Sequence, residues 1–194
     1  MKPLTRNDLY SLEEYARARP RYRAEVLAHK KNRQLAVGPH ATLYFEDRLT
    51  VQYQIQEMLR IERIFEAAGI EEELSAYNPL IPDGSNLKAT LMLEYTDVDE
   101  RHEALQALHG IEERVWLRAG GEERVRALAD EDLERATDEK TSAVHFLRFE
   151  LDDGSCRAIE SGAPLAIGID HTRYRYRVDP LPERVRAALA ADID

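Results

Sequence analysis

The sequence has almost no cysteine and no long apolar segment. Its 194 residues include one cysteine, Cys156, and no apolar run that approaches the roughly 18 residues of a membrane helix. A single cysteine excludes an intrachain disulfide and a cysteine-rich zinc or iron–sulfur site. The opening residues, MKPLTRNDLYSLEEY, have no apolar core, so we expect no secretory signal. These absences predict a cytoplasmic protein that does not associate with the membrane.

The motifs that mark common enzyme and cofactor sites are also missing. The sequence contains no Gly-x-Gly-x-x-Gly, no phosphate-binding P-loop and no Gly-x-Ser-x-Gly. Its six histidines form neither a His-Glu-x-x-His zinc motif nor the Glu-x-x-His pair of di-iron helical bundles. A catalytic or metal site would therefore have to be assembled from residues far apart in the chain.

Acidic residues are in excess, and the two signs of charge are segregated along the chain. The 27 Lys and Arg against 37 Asp and Glu give a formal net charge of -10, which speaks against nonspecific nucleic-acid binding. Residues 1–33 nevertheless carry a net +5 and residues 171–186 a net +3, whereas residues 34–170 carry -16. Two interpretations follow. The basic segments pair with the acidic body of the same chain or of a second subunit, or they bind an anion or an acidic partner.

The hydrophobic pattern predicts an α+β fold with a mostly antiparallel sheet, in a single domain over residues 1–194. Residues 1–33 have the spacing of a basic helical arm. Residues 34–76 predict two short strands and a long central helix from about residue 50 to residue 68. Residues 88–194 alternate between strand and helix patterns and predict the sheet portion of the domain.

The first part of the sheet portion suggests a known arrangement. Residues 88–151 give the order βαββαβ, which is that of a ferredoxin-like split unit. Within this stretch, Gly120-Gly121 predicts a hairpin with a two-residue turn, and residues 130–140 predict a short acidic helix.

The central helix carries two carboxylates among its apolar residues. Its apolar arc is wide, which predicts packing on several sides. Glu57 and Glu62 fall inside this arc when the residues are placed at about 100° intervals. An isolated buried charge costs several kcal/mol, so each carboxylate needs a partner. The partner is either an arginine in a structural ion pair, or a metal ion or substrate that the carboxylate serves as ligand or general base.

Three residues of the sheet portion add to this candidate site. His145 lies among apolar neighbours in a strand and is either a hydrogen-bonded core histidine or a site residue. Asp170 and His171 stand at the end of a strand, where both can line one cleft. With Glu57 and Glu62 they form our candidate buried polar or metal site between the central helix and the sheet. Its cofactor would be a divalent metal ion.

Three arginines alternate with tyrosines near the C-terminus. Arg173, Arg175 and Arg177 share one face if the chain stays extended. Adjacent guanidiniums repel each other unless water, carboxylates or an anion separates them. This stripe is therefore either an exposed strand face paired with the acidic body or a binding site for phosphate or carboxylate.

Five blocks spread over the whole chain share the pattern of one protein family. They are MKPLTRNDLYSLEEY, FEDRLTVQYQIQEMLRIERIFE (45–66), AYNPLIPDGSNLKATLMLEY (76–95), EKTSAVHFLRFEL (139–151) and PLAIGIDHTRYRYRV (164–178). Through them the chain resembles an uncharacterised bacterial family, domain of unknown function 3501. The resemblance implies a bacterial cytoplasmic protein and a gene neighbourhood with rubrerythrin and an iron–sulfur oxidoreductase. It supplies no catalytic residues.

These observations lead to two hypotheses of function. The first is a non-catalytic accessory or interaction protein of bacterial redox or oxidative-stress metabolism, which works beside a redox protein partner and forms a homodimer. The second is a metal-dependent enzyme, or a protein that binds a metal or small anion, with its site between the central helix and the sheet. Neither hypothesis involves nucleic acid or a membrane.

Overall fold

The fold combines helices with antiparallel sheets, which confirms the predicted α+β class. A computed structural model describes residues 1–131, 135–137 and 140–194. Over these ranges it contains six α-helices and nine strands in two sheets. The helices are α1 (Leu12–Lys30), α2 (Arg48–Ile61), α3 (Ala67–Tyr77), α4 (Val98–Ala107), α5 (Asp153–Glu160) and α6 (Glu183–Ala190). The strands are β1 (Gln34–Ala36), β2 (Ala41–Glu46), β3 (Asn86–Leu93), β4 (Val115–Ala119), β5 (Val125–Arg126), β6 (Leu128–Ala129), β7 (Val144–Glu150), β8 (Leu165–His171) and β9 (Tyr174–Val178).

The strands form two sheets with antiparallel neighbours. The first sheet has the order β1-β2-β3-β7-β6 and the second the order β5-β4-β8-β9. The ferredoxin-like order predicted for residues 88–151 is not confirmed, because the strands of that stretch are divided between the sheets. Residues 125–130 make the division: the Ala127 amide donates to the Val115 carbonyl at 3.0 Å, and the Asp130 amide donates to the Phe146 carbonyl at 2.8 Å.

A single apolar core lies between the sheets. Alternate residues along each strand point inward, and the fully buried ones include Leu43 and Leu91 of the first sheet and Leu117 and Ile167 of the second. Helix α6 adds its buried side chains to the same core. The other residues of each strand point to the outer faces of the two sheets.

Helix α1 packs against α2, and α2 has apolar contacts on two sides. Ser11 begins α1 with a capping box, because its hydroxyl accepts from the Glu14 amide at 3.2 Å and the Glu14 carboxylate accepts from the Ser11 amide at 2.9 Å. The buried face of α1 meets α2 at Tyr53. The opposite side of α2 packs on Leu4 and Leu74.

The predicted helix over residues 50–68 is wrong at its C-terminal end. Helix α2 ends at Ile61, and Arg63 adopts a left-handed backbone with φ of 56°. The Ile64 amide then donates to the Leu59 carbonyl at 2.9 Å, which closes the helix. A separate helix, α3, begins at Ala67 and ends at Tyr77.

Two other local predictions differ from the structure. The hairpin at Gly120-Gly121 has a wider turn than predicted, because pairing with β4 resumes only at Val125, which faces Leu117. The acidic helix predicted for residues 130–140 lies partly outside the described residues, and the described part of that stretch contains no helix. Across the described ranges, no helix is long and apolar enough to cross a membrane.

A buried ion pair joins the end of the basic arm to the turn that follows the C-terminal helix. Arg33 and Asp192 are 3% and 2% exposed, and the Arg33 guanidinium donates to the Asp192 carboxylate. The guanidinium also donates to the Ala188 carbonyl at 3.0 Å and lies 3.4 Å from Asp47 Oδ2. Burial raises the pKa of Asp192 to about 6, against the opposing effect of Arg33.

Candidate functional site

The outer face of the second sheet carries arginines on both sides of the chain's one tryptophan. In the strand register Arg126 faces Trp116, Trp116 faces Gly168, and Gly168 faces Arg177. Cross-strand partners point to the same side of a sheet. The four residues therefore form one row across β5, β4, β8 and β9. At about 4.8 Å between strands, the ends of this row are about 14 Å apart.

The tryptophan of this row is enclosed by its neighbours. Trp116 is 2% exposed although it points away from the core between the sheets. A Cβ atom at Gly168 would lie 2.3 Å from Trp116 Cζ2, so the indole covers the bare backbone of that glycine. The Arg124 guanidinium lies 3.9 Å from the ring centroid, in cation–π contact, and donates to Asp170 Oδ2 at 2.8 Å.

Some of the surrounding arginines are neutralised and others are not. Arg118 pairs with Asp179 at 3.0 Å, and Arg124 pairs with Asp170. The remaining three are exposed and form no ion pair with any residue in the described ranges: Arg126, Arg175 and Arg177. We name the set the arginine face; it consists of Trp116, Arg118, Arg124, Arg126, Arg175 and Arg177.

The arginine face contains only two of the three arginines in the predicted stripe. Arg175 and Arg177 project from β9, about 7 Å apart along the strand. Arg173 lies in the turn before β9 and lines a separate groove with Glu100 and Glu103. The extended conformation that the stripe requires begins only at Tyr174.

His145 is held in a buried polar network. The ring is 0% exposed; its Nδ1 lies 2.5 Å from Asp130 Oδ2, and its Nε2 lies 3.0 Å from the Ser142 carbonyl and 2.8 Å from Thr141 Oγ1. Thr141 in turn donates to Glu112 at 2.9 Å. Each ring nitrogen thus lies within hydrogen-bond distance of at least one oxygen atom. The contacts match the core-histidine interpretation.

Asp170 and His171 line a cleft of about 850 Å³ beside this network. Glu112 and Asp130 contribute to the same cleft. The His171 ring is buried; its Nε2 lies 3.2 Å from the His109 carbonyl, and its Nδ1 accepts from the Arg173 amide at 3.2 Å. The structure thus brings Asp170 and His171 together with the carboxylates that hold His145.

Glu57 and Glu62 lie elsewhere, on helix α2. Glu57 accepts from Tyr15 Oη at 2.7 Å and from Arg19 Nε at 2.7 Å, and these bonds, chiefly those from Arg19, lower the pKa of Glu57 to about 2. Glu62 is exposed at the C-terminal end of α2, because the helix stops one residue earlier. The prediction that Glu62 is buried on an apolar face is therefore wrong. Glu57 pairs with Arg19, as the interpretation of a structural ion pair requires.

The five residues of the predicted metal site are thus divided between two places. Neither Glu57 nor Glu62 lines the cleft that contains Asp170 and His171. Within the described part of the chain, no group of three or more His, Cys, Asp or Glu side chains is arranged to hold a metal ion. A divalent metal cofactor therefore remains a prediction, and the described residues supply no set of ligands for it.

The arginine face contains residues that the sequence pattern did not single out. Arg126 and Trp116 lie in the hairpin of β4 and β5, far in sequence from the arginine stripe. The predicted hairpin could have indicated them, because a correct pairing of residues 115–119 with residues 125–126 places Arg126 beside Trp116. The missing information was that this hairpin and β9 belong to one sheet.

Comparisons with other proteins place the chain in a family. The family model described as "Protein of unknown function (DUF3501)" matches residues 3–193. A crystal structure of a novel protein of unknown function from Burkholderia pseudomallei K96243 is similar over 100% of both chains, with 54% sequence identity and a TM-score of 0.94. The curated proteins contain no match to the chain. Since the family model covers almost the whole chain, the protein belongs to the DUF3501 family of proteins of unknown function.

Proposed function

We propose that this protein is a non-catalytic interaction protein that binds an acidic partner protein through the arginine face. The observation that carries the proposal is the presence of three exposed guanidiniums without ion pairs in the described ranges, on a chain whose net charge is -10. An acidic protein could have neutralised them with its own carboxylates, yet Asp170 and Asp179 neutralise only Arg124 and Arg118.

A protein surface suits this face better than a nucleic acid. The acidic body of the chain repels a long polyanion, whereas a local cluster of carboxylates can meet the arginines alone. Arginine forms bidentate bonds with carboxylates and is common at the centres of protein interfaces. Trp116 helps to order this face, because its indole packs on Gly168 and the Arg124 guanidinium stacks on the ring.

For the partner we propose a redox enzyme with an acidic surface. The support is the gene neighbourhood with rubrerythrin and an iron–sulfur oxidoreductase that the family resemblance implies. The other partner that charge allows is the acidic body of a second copy, which would make a homodimer. The alternative function, a metal-dependent enzyme, has no comparable support in the described residues.

The face can be tested directly, because Trp116 is the chain's one tryptophan and reports binding by its fluorescence. A short poly-glutamate peptide serves as the probe, titrated at low and at moderate salt. We expect a change in emission and an affinity that falls as salt rises. The double variant Arg175→Glu/Arg177→Glu should weaken binding by about tenfold or more, which corresponds to roughly 1.4 kcal/mol.

The matched control reverses two exposed arginines of helix α1. The variant Arg21→Glu/Arg23→Glu changes the net charge by the same amount on another surface. Equal weakening in both double variants would show a general charge effect and contradict the proposal. The same pair of variants, attached to beads, should differ in their capture of redox enzymes from a bacterial host. Sedimentation at several concentrations distinguishes a homodimer from binding to another protein.

A further inference from the structure

Lys88 is a half-buried lysine in the middle of the first sheet. Only five of the 27 basic residues are lysines, and this is the one within a strand. Its side chain points to the outer face of the sheet and lines a small pocket of about 130 Å³. Apolar side chains that include Pro79, Leu80 and Phe146 form part of the pocket wall, and Glu131 and Arg148 also line it.

The carboxylate nearest in the strand register is engaged with other groups. Glu46 of β2 lies directly opposite Lys88. Its Oε2 accepts from Thr50 Oγ1 at 2.6 Å, and its Oε1 accepts from Thr90 Oγ1 at 3.0 Å. Both carboxylate oxygens of Glu46 therefore accept hydrogen bonds from threonine hydroxyls, and neither forms an ion pair with Lys88.

On the other side, Arg148 binds two nearby carboxylates. Arg148 of β7 faces Lys88 in the register. It binds Glu131 with two bonds of 2.7 Å each and also donates to Glu150. Across the described ranges, no hydrogen bond or ion pair reaches the Lys88 amine.

The surroundings therefore disfavour the charged form of the amine. Burial lowers the pKa of Lys88 below its usual value, and the neighbouring Arg148 guanidinium acts in the same direction, against the opposing effects of Glu131, Asp83 and Glu150. A lysine that is desolvated beside another cation holds more of its unprotonated form, which is the nucleophile in Schiff-base chemistry.

We propose that Lys88 is a reactive amine that condenses with a small aldehyde or ketone bound in this pocket. The nitrogen lone pair attacks the carbonyl carbon and forms a carbinolamine. Loss of water then gives a carbon–nitrogen double bond, and the carbonyl oxygen leaves with the two hydrogens of the amine. No oxidant or reductant takes part. The small volume of the pocket limits the carbonyl compound to a short carbon chain.

Reductive alkylation of the full chain tests this assignment. The protein is incubated with propionaldehyde and cyanoborohydride, which traps the imine, and each lysine is then quantified by peptide mass spectrometry. At neutral pH we expect Lys88 to be alkylated several-fold faster than Lys30 and Lys31 at the end of helix α1, since a lowered pKa leaves a larger fraction of the Lys88 amine unprotonated. The advantage should shrink as the pH approaches 10.

Two variants keep the test informative. Arg148→Gln removes the neighbouring cation and releases two carboxylates, so alkylation of Lys88 should slow to the rate of the other lysines. Lys140→Arg removes another lysine and should leave the rate at Lys88 unchanged. Alkylation of Lys88 at a rate equal to or below that of Lys30 at neutral pH overturns the proposal. So does an unchanged rate at Lys88 in Arg148→Gln, provided circular dichroism shows the variant folded.

Discussion

The indole of Trp116 lies directly over Gly168, so closely that a Cβ atom at the glycine would be 2.3 Å from Cζ2 of the ring. The contact joins neighbouring strands β4 and β8 on the face that also carries the unpaired arginines. A side chain at residue 168 would displace the ring and, with it, the Arg124 guanidinium that covers the ring. The arginine face therefore depends on a glycine that carries no charge itself.

Gly168→Ala tests this dependence. We expect a loss of about 1–3 kcal/mol in the free energy of unfolding, the usual cost of overpacking, together with a changed Trp116 emission. Urea unfolding followed by circular dichroism measures the first effect. Gly121→Ala is the matched control, since a Cβ there would meet nothing within 4 Å. Equal unfolding free energies of the two variants would show that the Trp116 ring moves aside without loss of stability.

Replacement of His145 should destabilise the protein strongly. His145→Leu removes the ring between Asp130 and Glu112, and the loss of a buried hydrogen bond to a carboxylate costs about 1.5–3 kcal/mol. His102→Leu, on the exposed side of α4, should cost less than about 0.5 kcal/mol. Thermal unfolding of the two variants compares them. A small effect at His145 would mean that water or Arg135 compensates Asp130.

Glu57→Gln should weaken the attachment of helix α1. The substitution removes the charge that binds Arg19 and accepts from Tyr15, at an expected cost of about 2 kcal/mol at pH 7. Because the pKa of Glu57 is lowered from 4.5 to about 2, its contribution is present above pH 4.5 and is lost as the pH falls through 2. The difference in unfolding free energy between the parent and the variant should narrow over that range.

The control for Glu57 is another carboxylate paired with an arginine of the same helix. Glu13 pairs with Arg17, but both side chains are more than three quarters exposed, at 78% and 76%. Glu13→Gln should therefore change stability by less than about 0.5 kcal/mol. If both variants lost a similar amount of unfolding free energy, the effect would come from the changed charge of the protein and not from the buried contact of Glu57.

Asp192 should give the opposite dependence on pH. Its pKa is raised from 3.8 to about 6, so its stabilising contribution is complete below pH 3.8 and is lost as the pH rises through 6. In Asp192→Asn this dependence disappears. The free energy of unfolding of the parent, relative to the variant, should fall by up to about 3 kcal/mol between pH 4 and pH 6.5. Urea titrations across this range measure it; a constant difference would contradict the raised pKa.

The predictable part of the structure rests on regular periodicity. The alternation around Tyr174 and Tyr176 correctly placed Arg175 and Arg177 on one strand face, and the wide apolar arc of the central helix correctly indicated packing on two sides. The end of that helix was missed because Arg63 adopts a left-handed backbone, a conformation usually marked by glycine. Because the helix ends at Ile61, Glu62 lies outside its apolar face and is exposed.

The order of the strands in the two sheets could not be predicted from local sequence patterns. Residues 125–129 alternate like a single edge strand, yet β5 pairs with β4 and β6 with β7. No turn residue marks the change of sheet. Without this division, the sequence does not place Arg126 on the same sheet face as Arg175 and Arg177. The choice depends on which partner strands are free, which is a property of the whole fold.

The short segment of residues 125–130 links the two sheets through its own backbone. Opening either sheet at this edge breaks bonds that belong to the other. The sheets should therefore exchange their amide hydrogens as one cooperative unit, with β4 and β7 sharing a common opening free energy. Transient loss of the arginine face would then require loss of the whole core. A partner bound to that face would slow exchange in the distant first sheet as much as beneath its own contacts.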